Sequence, residues 1–128
     1  MEKDREETES QSISSFQIHT FSDKLLDSQV FFQVIGFDGG FYLWVGTAPC
    51  GFGDLALAMK NKYSNEPSLS TLLGASDSQC NGMAVRLAKR TNKQVFVGGS
   101  LSYNQLMLPL VEKRIGEEIK SHPEVFMQ

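Results

Sequence analysis

Residues 29–46 read QVFFQVIGFDGGFYLWVG, two strand-forming runs joined at Asp38-Gly39-Gly40. Glycine supplies the positive φ that a tight hairpin loop demands, so the spacing predicts a hairpin with strands over 30–37 and 41–46. Its side-chain pattern constrains the fold. Successive strand residues point to opposite sides. Phe41, Leu43 and Val45 share one side, and Tyr42 and Trp44 the other. Phe32 and Val34 likewise oppose Phe31 and Ile35. A sheet wet on one side alternates apolar with polar residues. Here both faces call for cover.

Residues 77–99 predict one source of that cover. At 100° per residue, Cys80, Met83, Ala84, Leu87 and Ala88 fall on one arc and Arg86, Lys89 and Arg90 opposite it. Ser76 or Asp77 suits the N-cap, and Gln79 has capping-box spacing from Ser76. Asn92 suits the left-handed residue that closes a helix. Residues 93–97, with two valines around Phe96, read as a strand.

The other segments are shorter. Residues 12–21 alternate, with Phe16, Ile18 and Thr20 against Ser15, Gln17 and His19, which predicts a half-buried strand. Residues 22–29 read as a loop or a single helical turn. In residues 54–63 Leu55, Leu57 and Met59 alternate with Ala56 and Ala58. Alanine, leucine and methionine favour helix, but the apolar part is short and flanked by turn residues, so a strand is preferred. Another strand follows over 68–73. Leu108, Val111, Ile115 and Ile119 make a helical stripe within 104–121. Pro109 fits only its first turn. Lys113–Glu117 and Arg114–Glu118 are i,i+4 pairs on its wetter side, and Pro123 stops the helix.

The expected fold is therefore α+β: a mostly antiparallel five- to six-stranded sheet with two helices packed on one face. Two helices do not readily cover both faces, so a second chain is expected on the other.

With 128 residues the chain makes one ordinary domain. Residues 12–128 are assigned to it and residues 1–11 to a disordered acidic tail with almost nothing apolar to bury. Residues 2–9 hold five acids and two bases, which is the whole of the net charge of −3. The rest carries ten charges of each sign. A balanced body with an acidic tail is a poor nucleic-acid binder. No apolar run is long enough to span a membrane, and the N-terminus is charged where a signal peptide is apolar. Two cysteines make no disulfide framework, which fits a reduced cytoplasmic or nuclear setting.

FYLWVG (41–46), LALAM (55–59), SLSTLLG (68–74), RLAKRTNKQVFV (86–97) and VEKRIGEEI (111–119) carry a resemblance to the proteasome assembly chaperone 4 family. It runs from about Phe16 to the C-terminus. Residues 91–97 are its most specific block, while the acidic tail and Gly98-Gly99 depart from the pattern. The resemblance implies a small α+β chaperone without enzymatic activity. It implies pairing with a similar protein, proteasome assembly chaperone 3. It also implies transient contact with proteasome alpha-type subunits during alpha-ring formation. The family supplies no catalytic residue. A small α+β scaffold in trafficking or signalling complexes is the alternative of another class.

Candidate partner-binding residues form two sets. Tyr42 and Trp44 are aromatic anchors of the expected dimer face, or else part of a two-sided core within the chain. Arg86, Lys89, Arg90 and Lys93 suit an acidic patch on an alpha subunit, or else an ordinary solvated helix face. Cys50 has no activating base near it in sequence, so a catalytic thiol is disfavoured. Two cysteines and two histidines this scattered make no zinc spacing. Neither Gly51-x-Gly53 nor Gly98-Gly99 has phosphate-loop spacing. No cofactor or metal is expected. His122 suits the negative end of a helix.

Overall fold

A computed structural model describes residues 16–47, 53–74, 78–100 and 106–127. The acidic tail, Cys50 with its loop, and the proposed capping residues Ser76 and Asp77 lie outside them. Six strands form one mixed sheet in the order β1-β2-β3-β6-β4-β5. They are β1 Gln17–Leu25, β2 Ser28–Phe37, β3 Gly40–Gly46, β4 Asp54–Met59, β5 Ser68–Leu73 and β6 Gln94–Ser100. Only β3 and β6 pair in parallel; every other ladder is antiparallel. Among the described residues three helices accompany them: α1 Gln79–Thr91, α2 Met107–Ser121 and the short α3 Pro123–Phe126.

All three helices pack on one face, as the two-helix reading anticipates. α1 lies over β4, β6 and β5, while α2 and α3 cover the β1–β3 half. Between them and the sheet sits the core: Val30, Phe32, Val34, Phe41, Leu43, Val45, Val95 and Val97 from the strands, and Met83, Val111, Ile115 and Phe126 from the helices. The whole predicted arc of α1 is buried, from Cys80 to Ala88. Ala56 and Ala58 are fully buried beneath α1. Their small methyls let the helix sit close to the sheet.

Several local expectations change. Residues 22–25 are not a loop: β1 runs on to Leu25, and the chain reverses through Leu26-Asp27. Asp23 and Lys24 suggest a break, but full pairing with β2 from Gln17↔Gly36 to Leu25↔Ser28 outweighs their low strand propensity. Ser78 caps α1, its side chain accepting from the Cys80 N–H at 3.2 Å. Asn92 closes the helix in the left-handed conformation, with its N–H on the Ala88 carbonyl.

β6 continues through Gly98 and Gly99 to Ser100. Gly99 has φ 143°, and a Cβ there would meet the Val45 carbonyl, so glycine lets the strand continue. Pro123 ends α2 but also begins α3. Phe126 of α3 is fully buried, edge-on to Phe41 at 5.1 Å. Gly36 makes room for it, because a Cβ at that position would strike the Val125 backbone.

Candidate protein-interaction face

Among the described residues, no helix lies on the far side of the sheet. Cross-strand register places Ile18, Phe31, Ile35, Tyr42, Trp44, Phe96 and Leu57 on that side. Ile18 is 69% exposed and Phe31 42%, while Ile35, Tyr42, Trp44, Phe96, Leu55 and Leu57 are half-buried. Met59 and Leu73 extend the patch toward the β5 edge. Interspersed among these are Thr20, Ser22, Gln33 and Ser70, with the charge of Lys24 at the turn end of β1. A broad apolar face with little charge has the composition of an interface centre, and its extent exceeds scattered surface apolar residues.

β1 and β4 show the bias most clearly. The alternation of β1 is real, but Ile18 and Thr20 face the open side, and Phe16, just before the strand, is exposed. Its covered side takes Gln17, His19, Phe21, Asp23 and Leu25. In β4 the alanines lie under the helix and Leu55, Leu57 and Met59 point away. A chain optimised to stand alone would bury the larger side chains, since burying a leucine is worth about 1.5–3 kcal/mol.

Trp44 occupies the middle of this face. Its ring lies over Gly46, where a Cβ would strike the indole. A groove of about 430 Å³ beside it is lined by Thr20, Ser22, Phe31, Gln33 and Trp44 among others. Burial raises the pKa of the Tyr42 phenol, with nearby Cys80 adding to the effect, so the group stays a neutral hydroxyl. Tyr42 and Trp44, singled out in sequence, thus share this one surface.

The basic residues lie on the opposite side of the molecule, on and just after α1, and do not join the apolar face. Arg86 pairs with Glu112 of α2, its Nε donating at 2.8 Å. Lys89 meets Glu66 at 2.6 Å. Arg90 lies against α2 where Gly116 leaves room for its guanidinium. Lys93 follows the Asn92 cap and is half-buried. The Cys80 thiol is buried, and that burial raises its pKa, making it a poor nucleophile.

One cluster escaped the sequence reading. His19 of β1 meets Glu118 and His122 from the end of α2. His19 Nε2 lies 2.5 Å from Glu118 Oε2, and His122 Nδ1 lies 3.3 Å from the same oxygen. Arg114 donates to Glu118 Oε1 at 2.7 Å and also reaches Asp23. The Arg114–Glu118 pair therefore forms as the spacing predicts, yet not on the wet side: Glu118 is 5% exposed. Burial alone would raise the Glu118 pKa, but hydrogen bonds from His19 and Arg114 outweigh it and hold the carboxyl below its ordinary value. No spacing rule finds such a cluster, because its histidines stand at opposite ends of the sequence.

Comparison with known proteins fits this architecture. A solved chain from a yeast 20S proteasome assembly chaperone complex superposes with a TM-score of 0.62, covering 79% of this chain and 97% of that one, at 14% identity. That likeness is one of fold. Sequence similarity is closer. Proteasome assembly chaperone 4 of Homo sapiens is 41% identical over 85% of this chain and 89% of its own length. The Mus musculus protein of the same name is 38% identical over 94% and 99%. Residues 29–101, from the first half of the hairpin to just past β6, match the family model described as proteasome assembly chaperone 4. An α+β sheet with helices on one face, and relatives that span nearly its whole length, make this chain a member of the proteasome assembly chaperone 4 family of non-catalytic assembly chaperones.

Proposed function

We propose that the chain assists assembly of the 20S proteasome as one half of a heterodimer with proteasome assembly chaperone 3, holding alpha-type subunits while the alpha ring forms. The observation that carries this reading is the apolar sheet face left open by the helices, with Trp44 and Tyr42 at its centre and large side chains of β1 and β4 around them. Family membership favours it over a trafficking or signalling scaffold.

Mechanistically, the pair presents a preformed surface to an unassembled subunit, shields the bound face and fixes its orientation. Release as neighbours arrive requires a fast off-rate, set by a few anchors more than by area. The row Arg86, Lys89, Arg90 and Lys93 is assigned to steering an acidic subunit face. Its side-chain pairs with Glu112 and Glu66 are well exposed, and such pairs hold only about 0–1 kcal/mol, so they exchange readily for an incoming partner. The working location is the cytoplasm and nucleus. Among the described residues no helix is long and apolar enough to cross a membrane.

Co-expression with tagged chaperone 3 tests the pairing. Trp44→Ala is expected to weaken capture at least tenfold while the melting temperature of the free chain moves by only a few degrees. Unchanged capture, or a collapse of the free fold, would move Trp44 into the chain's own core. For the basic row, Arg86→Ala with Lys89→Ala should reduce recovery of alpha subunits and leave chaperone 3 bound. Equal recovery would reduce the row to an exposed brace between α1, α2 and the β4–β5 turn.

A further inference from the structure

We propose that His19, Glu118 and His122 form a binding site for one divalent transition-metal ion of the zinc class, clipping β1 to the end of α2. The chain has two histidines, 103 residues apart in sequence, and the fold brings both to one buried carboxylate. Two imidazoles and a carboxylate are the donor set that borderline cations favour.

The three ligand atoms already converge, and one of their spacings fits a metal site as it stands. The three ligand atoms lie within 4.8 Å of one another. Tetrahedral bonds of about 2.0–2.2 Å set ligand atoms about 3.3–3.6 Å apart. His122 Nδ1 already stands 3.3 Å from Glu118 Oε2. His19 Nε2, at 2.5 Å from that oxygen, moves out by about an ångström. His122 Nδ1 is buried and makes no hydrogen bond, although the His122 side chain is 41% exposed. A buried imidazole nitrogen facing a carboxylate, without a hydrogen bond of its own, is a ligand atom held in position.

The surroundings fit a dication. Arg114 takes Glu118 Oε1, orienting the carboxylate and leaving Oε2 for the site. That is the outer-shell support metal ligands usually have. Asp23 balances Arg114, so the two carboxylates and one guanidinium leave a single negative charge beside the two rings. The rings are fixed as well: His19 packs on Phe21 at 5.5 Å and on His122 at 4.4 Å. Partial exposure of both histidines leaves a fourth position for water. The site uses none of the apolar face and stands independently of the heterodimer.

The purified full-length chain is titrated with zinc against a chromophoric chelator, and with cobalt(II) for the visible band of a tetrahedral site. One ion per chain is expected, with the melting temperature raised in its presence. His122→Ala, at the more exposed position, should abolish stoichiometric binding and the cobalt band, while circular dichroism stays unchanged. His19→Gln is the second variant and should do the same. Absence of zinc retention in the unaltered chain would overturn the site. So would retention equal to the unaltered chain's in both variants, which would assign the ion to the thiols, or a cobalt band of purely octahedral character. A variant that unfolds is replaced by the other, and the unaltered chain alone still decides the first outcome.

Discussion

Glu118 concentrates more electrostatic work than any other residue described. It accepts from Arg114 and lies against both histidines while nearly buried. Its carboxyl is held below the ordinary value because the hydrogen bonds outweigh burial. The contribution to stability is therefore present above the unfolded value of about 4.3 and lost as pH falls from there through the lower folded value. In chelator-containing buffer, Glu118→Gln should cost about 1.5–3 kcal/mol at neutral pH, the worth of hydrogen bonds to a charged group. It should also flatten the decline in acid. Urea midpoints at a series of pH values measure both, and a variant with the same acid decline as the parent would contradict the account. Nothing local announces this role. Arg114–Glu118 looks like an ordinary exposed i,i+4 pair until β1 is laid beside it, and His122 looks like a cap until His19 arrives from 103 residues away.

At the scale of elements, β4 divides its two sides between the fold and the open surface. Ala56→Leu should overfill the space beneath α1 and cost about 1–3 kcal/mol. Leu57→Ala, one residue on and facing away, should leave the melting temperature within a few degrees and weaken partner capture instead. Phe126→Ala should cost about 3–5 kcal/mol, because α3 plugs the core between β2 and β3. Denaturant midpoints for the three variants separate these cases; equal costs at Ala56 and Leu57 would refute the division.

The same elements show what the sequence carries. The hairpin and α1 were legible because their signals are local: an Asp-Gly turn, a continuous apolar arc, an asparagine at the stop. β4 was legible as a strand, but not which side meets the helix, since leucines advertise burial and alanines do not. The extension of β1 and the existence of α3 were hidden. Ladder pairing fixes the first and a cavity fixes the second, and both belong to the assembled sheet. For the interaction face, Tyr42 and Trp44 were legible as two-sided apolarity, whereas Ile18 and Leu57 join it only through cross-strand register.

At the scale of the whole molecule, the described residues put the core on one face of the sheet and an apolar expanse without a helix on the other. The isolated chain should bind a hydrophobic dye and self-associate with rising concentration, and adding chaperone 3 should suppress both. Ile18→Lys with Leu57→Asp should yield a monodisperse chain that melts near the parent temperature yet captures no partner. Light scattering beside dye fluorescence reads these outcomes. Every residue of the principal core lies between the helices and one side of the sheet, so the proposed pairing on the other side would leave that core unchanged. The proposed pairing would then dock a finished body, and its reversal would return the same body intact. Such a chain would survive separation and serve again, as a reusable tool does and a consumed part does not.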